Sequence, residues 1–312
     1  MQLDRYVHTL GSHLRARFGE RVHKLPLHAG FTCPNRDGTL GRGGCDFCNV
    51  RSFSAEDEAP LANQLQSGGA KIQRARLYLA YFQSYTNTYA EVERLRVLYE
   101  TALAGQGVVG LCVGTRPDCV PDAVLDLLAG YRRRGAEVWL ELGLQSAFDE
   151  TLRRVNRGHG FAEFAKASKR AAERDVPVCA HLIVGLPGER PQDSLETLER
   201  TLATGARGLK LHPLMIVRGS RLALAFRRGE VRPPDFDEYV EVAAEMVRRT
   251  PASVIFHRVA ASARGPSLLA PEWCATAQRA NNAIAHNLAA HGAQGALTRD
   301  PYQMKTAAAA AV

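Results

Sequence analysis

Lysine is scarce in this chain. Of 40 lysines and arginines only six are lysine, at positions 24, 71, 166, 169, 210 and 305. The net charge of +8 is therefore carried by arginine, and it suits an anionic partner without specifying one. Long apolar runs are missing too. No tract reaches the ~18–20 apolar residues of a membrane span, and Met1-Gln2-Leu3-Asp4-Arg5 lacks the apolar core of a signal peptide. The expectation is a cytoplasmic protein with no membrane partner, in which seven cysteines are ligands and core residues rather than a disulfide framework. With 46% apolar and 23% charged residues, 312 residues are ample for one large α/β domain with an extension.

Three of the cysteines stand together, Cys33 in Phe31-Thr32-Cys33-Pro34 and then Cys45 and Cys48 in Gly44-Cys45-Asp46-Phe47-Cys48. Zinc knuckles and redox dithiols share the Cys-x2-Cys spacing. A zinc site here needs a fourth ligand, for which His28 is the nearest histidine. A [4Fe–4S] cube held by three thiolates instead leaves one iron open to a cofactor or substrate. Cys274 has no Cys-x2-Cys partner, so a second cluster is not expected.

From residue 24 short β-rich runs alternate with amphipathic ones. The pattern predicts strands at 24–29, 77–82, 108–114, 137–143, 176–185 and 208–217, and helices at 62–75, 90–104, 121–134, 161–174 and 191–204. Repeated β–α units imply parallel strands with right-handed crossovers. Six units are too few for a closed eight-stranded barrel, so the expected fold is α/β, a partial (β/α)6 TIM-like barrel with a C-terminal helical extension. The expected divisions are a basic segment 1–23, the barrel 24–218, the extension 219–295, with a strand-like run at 254–257, and a flexible tail 296–312. The basic segment reads either as a solvated amphipathic helix or as an arm for an anionic partner. The distinctive segments follow strands, where parallel sheets place their ligand sites.

Those segments carry a resemblance. Gly30-Phe31-Thr32-Cys33-Pro34-Asn35-Arg36-Asp37-Gly38, Gly43-Gly44-Cys45-Asp46-Phe47-Cys48-Asn49-Val50, Tyr81-Phe82-Gln83-Ser84-Tyr85-Thr86-Asn87-Thr88-Tyr89, Gly114-Thr115-Arg116-Pro117-Asp118-Cys119, Glu141-Leu142-Gly143-Leu144-Gln145-Ser146, Asn156-Arg157-Gly158-His159 and His181-Leu182-Ile183-Val184-Gly185-Leu186-Pro187-Gly188-Glu189 occur in that order. Together they resemble the radical S-adenosylmethionine (SAM) superfamily, and within it the YhcC/YtqA-type group with a long first cysteine gap. The resemblance implies a [4Fe–4S] cluster on Cys33, Cys45 and Cys48. It implies a SAM site with Phe47 at the adenine pocket, Gln83-Ser84-Tyr85 in place of the usual Gly-Gly-Glu-like segment, Glu141 on the ribose, Gln145 nearby, and Gly185 and Pro187 against adenine. The group is linked to tRNA wobble-uridine modification, carboxymethylaminomethyl to aminomethyl, and the Glu-x-Gly-x-Gln-Ser segment is similar to that of the Elongator catalytic subunit. A low-potential electron donor such as flavodoxin or ferredoxin is implied as a partner.

Further candidates come from the residues themselves. Lys210 and His212 alternate with Leu209 and Leu211, so they face the barrel interior, where charge is costly unless paired or functional. With Cys119, on the presumed mouth, they are the catalytic or substrate-pocket candidates. Cys112 and Cys179 read as core. Arg116 with Asp118 reads as an internal pair or as a ligand contact, and Arg157 with His159 as a mouth position or a helix-terminal cap. A radical SAM enzyme acting on a small metabolite or peptide, and a non-catalytic zinc-dependent RNA-binding protein, are the rival readings.

Overall fold

The computed structural model describes residues 2–50, 59–72, 75–263 and 265–298. In chain order the elements are α1 (Leu10–Phe18), β1 (Val22–Leu27), α2 (Pro34–Asp37), α3 (Leu61–Ala70), β2 (Leu77–Phe82), α4 (Val92–Leu103), β3 (Val108–Thr115), α5 (Asp122–Arg133), β4 (Glu137–Gln145), α6 (Asp149–Arg154), α7 (Phe161–Ala172), β5 (Val178–Val184), α8 (Pro191–Ala203), β6 (Gly208–Pro213), β7 (Ile216–Val217), α9 (Arg221–Arg227), α10 (Phe236–Arg249), β8 (Ile255–Arg258), β9 (Leu268–Ala270) and α11 (Ala277–His291). Seven strands form one parallel sheet in the order β1-β2-β3-β4-β5-β6-β8, and β7 pairs with β9 in a separate antiparallel ribbon. The sheet curls into a partial barrel, with Lys24 Nζ of β1 within 3.1 Å of His257 Nδ1 of β8 although these are the two ends of the strand order.

The six expected strands are present, and a seventh joins them. The run at 254–257, placed in the extension, is β8 of the main sheet. The expected strand 208–217 ends at Pro213, which has no N–H for a ladder, and resumes as β7 in the other sheet. The basic segment 1–23 is built into the barrel. Leu10 and Leu14 of α1 pack beneath it with Leu79, Cys112, Trp139 and Cys179, while Thr9 bridges to Phe256 at the edge of β8. Arg17 Nη1 (2.5 Å) and His13 Nε2 (3.4 Å) both reach the buried Glu137. Of the expected tail, residues 296–298 form a turn whose Leu297 N–H donates to Arg248 O (2.9 Å), and 299–312 lie outside the described residues.

Alternation sorts the two faces of the sheet. Leu111, Leu140, Leu142, Leu209 and Leu211 point outward into the helices. The inward residues change from apolar at the bottom to polar higher up, and the upper layer is the floor of a cavity at the carboxyl ends of the strands. Among the described residues no helix is long and apolar enough to cross a membrane.

Candidate active site

Cys33, Cys45 and Cys48 line one cavity of about 260 Å³. Cys33 precedes the short helix α2, its carbonyl accepting from the N–H groups of Arg36 (2.7 Å) and Asp37 (3.1 Å). The rest of the loop is fastened to the segment after α6. Asp46 N–H donates to Val155 O (3.0 Å), Asn35 Nδ2 to Asn156 O (2.6 Å), and Asn156 Nδ2 to Gly44 O (2.8 Å). Arg157 then bridges loop and sheet: Nη2 donates to Gly143 O (2.5 Å) and Nη1 to Cys45 Sγ (3.4 Å). A Cβ at position 143 would sit 2.7 Å from Arg157 Nη2, so glycine leaves room for that guanidinium. The Asn156-Arg157-Gly158-His159 motif is thus a clamp on the cysteine loop. Asn35 is buried and its Nδ2 is 3.7 Å from Cys45 Sγ, ten residues on; its bond to Asn156 O, 121 residues away, has no local sequence signal.

The thiols lie among cations. Arg36 Nη2 donates to Cys48 O (2.8 Å). Burial and Cys45 push the Cys48 thiol up, opposed by Arg36 and Arg157. Arg116 is buried, paired with Asp118 (2.9 and 2.8 Å), and donates to Arg157 O (2.9 Å), so the internal-pair reading of Arg116 and Asp118 holds. His159 lies outside the cavity lining, and burial with Arg157 and Arg116 pushes it down to about 3. Cys119 is outside the lining too; its Sγ is 3.9 Å from Asp118 Oδ1, and burial and that carboxylate push it up to about 12.

Glu141 stands in company that differs from the expected ribose contact. It is fully buried at the floor and takes Lys24 Nζ (2.5 Å) and His257 Nδ1 (3.1 Å) on Oε1, and Lys210 Nζ (2.8 Å) and His181 Nε2 (2.8 Å) on Oε2. A carboxylate offers about four acceptor positions, and four nitrogens surround this one. Burial pushes its pKa up, but Lys210 and Lys24 with the two imidazoles hold it well below the usual range. Glu141 lines the cavity and is also the hub of an internal network, which the ribose contact implied by the resemblance would have to share. Lys210 also donates to Tyr81 Oη (2.6 Å), and burial brings it down to about 8 against the pull of Glu141. His257, with Arg258, ends a strand-like run and resembles a His-Arg pair of the group, whereas Lys24, Tyr81 and His181 are not among the expected site residues, though a charged or polar residue in an inward strand position is the signal that points to Lys210.

Phe47, Gln83, Tyr85, Gln145 and His212 line the cavity as expected. Ser84 is buried outside the lining. Gly185 and Pro187 border a different recess of about 180 Å³ with Val231 and Pro234; the +87° φ of Gly185 and the crowding by Pro234 account for its glycine.

The arrangement fits an iron–sulfur cube better than zinc. Among the described residues no three or more His, Cys, Asp or Glu side chains are arranged around a single metal ion, whereas a cube takes one cysteine per iron and spreads its thiolates. His28 is absent from the lining, its ring tilted against Tyr85 at 6.4 Å. The family profile of the radical SAM superfamily matches residues 33–201, a span that begins at the first of these cysteines. The chain belongs to the radical SAM superfamily.

A second profile, the radical SAM C-terminal domain, matches residues 206–290. Protein YhcC of Escherichia coli strain K12 is 52% identical over 304 residues, covering 97% of this chain and 98% of that protein. YtqA of Bacillus subtilis strain 168 is 34% identical over 276 residues, 86% and 85% of the two chains. These relatives place the radical SAM chain in the YhcC-type group. A tRNA uridine(34) acetyltransferase of Dehalococcoides mccartyi strain CBDB1 is 30% identical over 172 residues, 54% of this chain and 36% of that one. Among solved structures, the archaeal Elp3 of Methanocaldococcus infernus with its N-terminus deleted superposes with a TM-score of 0.62 at 18% identity, covering 86% of this chain and 63% of that chain. That likeness supports the radical SAM partial-barrel fold. The protein is a radical SAM enzyme, of a family that uses a [4Fe–4S] cluster and SAM.

Proposed function

We propose that Cys33, Cys45 and Cys48 hold a [4Fe–4S] cluster with one iron open to SAM, and that the enzyme acts on tRNA wobble uridine, trimming carboxymethylaminomethyl to aminomethyl. The observation that carries the cofactor reading is the trio of thiols lining one cavity, clamped by Asn156 and Arg157, with no fourth cysteine in the lining. When bound, cluster and SAM would supply a 5′-deoxyadenosyl radical that removes an unactivated hydrogen atom from substrate. The protein's part is placement. Arg157 and Asn35 orient Cys45 through N–H···S contacts, Phe47 offers an apolar face, and Gln83, Tyr85 and Gln145 supply polar groups beside it. Gln145, at the carboxyl end of β4, takes the polar role that Glu141 is too engaged to fill.

The tRNA reading is supported by the name of the uridine(34) acetyltransferase relative and by the charge of +8, which favours a polyanion held through its phosphates. An unpaired base entering the mouth would stack on an aromatic residue such as Tyr85. The proposal includes a low-potential donor such as flavodoxin or ferredoxin, a cytoplasmic setting, and a barrel reaching past residue 218 to take in β8. The test is an anaerobic incubation with SAM and dithionite that follows 5′-deoxyadenosine and the nucleosides of tRNA from a strain lacking the gene. Aminomethyluridine should appear at the expense of its carboxymethyl precursor, and Cys45→Ala should abolish both products. Cluster-loaded protein that leaves such tRNA unchanged would overturn the substrate reading; loss of 5′-deoxyadenosine as well would overturn the chemistry.

A further inference from the structure

One basic side chain of the cavity has no hydrogen-bond partner among the described residues. Arg36, Arg116, Arg157, Lys210 and Arg258 are the basic side chains of its lining besides the histidines. The first is bonded to the Cys48 carbonyl, the second to Asp118, the third to Gly143 and Cys45, and the fourth to Glu141 and Tyr81. Arg258 has no hydrogen-bond or ion-pair partner among the described residues, although it is half-buried. Glu141, the acidic residue of the lining, is already surrounded by four nitrogens. A partly desolvated guanidinium without an anion is costly, and its planar fork matches a carboxylate or phosphate.

Its direction is built in. Phe256 pairs with Leu209 and Arg258 with Lys210, so β8 carries one extra residue, His257, against two consecutive residues of β6. Such a bulge breaks the alternation. His257 reaches the Glu141 network and Arg258 the cavity from adjacent positions, where a regular strand would turn one of them out into the helices. Beside it His212 lines the same cavity, and its buried Nε2 has no partner among the described residues. The unpaired guanidinium of Arg258 calls for a ligand with two acceptor oxygens, and His212 lines the same wall of the cavity.

We infer that Arg258 and His212 form a carboxylate-binding subsite that holds the acidic end of the substrate's substituent. The subsite rests on the charge inventory of the cavity; only the carrier of the carboxylate, a modified wobble uridine, rests on the function proposed above. It gives the enzyme a way to tell substrate from product, because trimming carboxymethylaminomethyl to aminomethyl removes the group that Arg258 would grip.

The experiment compares anticodon stem-loop RNA bearing carboxymethylaminomethyluridine with RNA bearing aminomethyluridine, measuring affinity for the cluster-loaded enzyme with SAM present. The wild type should prefer the carboxylated RNA by about tenfold or more, the range of a charge-assisted contact. Arg258→Gln should erase the preference, and Arg258→Lys should restore part of it. If Arg258→Gln weakens both RNAs equally, the arginine holds a backbone phosphate and the subsite is refuted. If it leaves the preference intact and weakens SAM instead, the arginine serves the cofactor carboxylate and the inference likewise fails. If neither RNA binds, the tRNA reading fails, and N-methylglycine against methylamine tests the subsite by itself. Stabilisation of the wild type, but not Arg258→Gln, by N-methylglycine alone would uphold it, and equal response to both compounds would overturn it.

Discussion

The most constrained side chain in the molecule is Glu141. It balances the buried Lys210 and the half-buried Lys24, and removing its charge leaves both uncompensated. Glu141→Gln should lower unfolding free energy by about 3–5 kcal/mol, read as a lower urea midpoint at unchanged slope. Replacing Lys210 by Met in the same chain should return part of the loss. The histidines around it set the acid limit. Burial and Lys24 push His257 down to about 3, and burial and Lys210 push His181 down to about 4. Both stay neutral in the fold while the unfolded chain binds protons below its ordinary 6.5, so stability falls as pH drops through that value. Glu141, depressed in the fold, adds a second loss below 4.5. Unfolding free energy measured from pH 8 to pH 4 should therefore decline from about pH 6.5; a flat profile to pH 5 would show that these imidazoles are charged in the native state. At this scale the cysteines were legible because three thiols close in sequence announce themselves. Arg157 beside Cys45 and the four nitrogens around Glu141 were not, because each comes from a strand or loop far along the chain.

At the scale of elements, alternation and helical spacing located β2, α4, α5, α7 and α8 to within a few residues. The miss at β8 has a physical reason. Four residues carry too little pattern to show a parallel partner, and β7, α9 and α10 intervene before the chain returns to β6. At α1 the expected amphipathic helix is present, but the depth to which it is buried was not legible. Its arginines suggest a solvated helix, but Leu14 is 2% exposed beneath Trp139 and its neighbours, so the helix seals the bottom of the barrel. Leu14→Ala should cost about 2–5 kcal/mol in denaturant unfolding, and a loss below about 1 kcal/mol would mean that α1 is dispensable to the core.

For the molecule as a whole, charge and cavity divide the labour of recognition. The arginine-borne charge of +8 acts on any polyanion, whereas discrimination has to come from the small cavity. On the proposed tRNA reading, affinity should fall linearly with the logarithm of salt concentration, while the preference between carboxylated and trimmed RNA should change less, since the proposed subsite is half-buried and less screened than the surface. Titrations of both RNAs between 50 mM and 200 mM salt, the window over which phosphate contacts are lost, separate the two contributions. A preference that vanishes with salt in step with affinity would assign both to the surface.

The bridge between Thr9 and Phe256, with Phe256 N–H donating to His8 O (2.8 Å), has a consequence beyond folding. An open barrel ends in unpaired strands, and a bare strand edge is a template for the same strand of another copy. By laying its own first residues along β8, the chain occupies that template before a neighbour can. The cost of leaving the barrel open is met at this edge, where His8 and Thr9 take up part of the template that β8 would otherwise present.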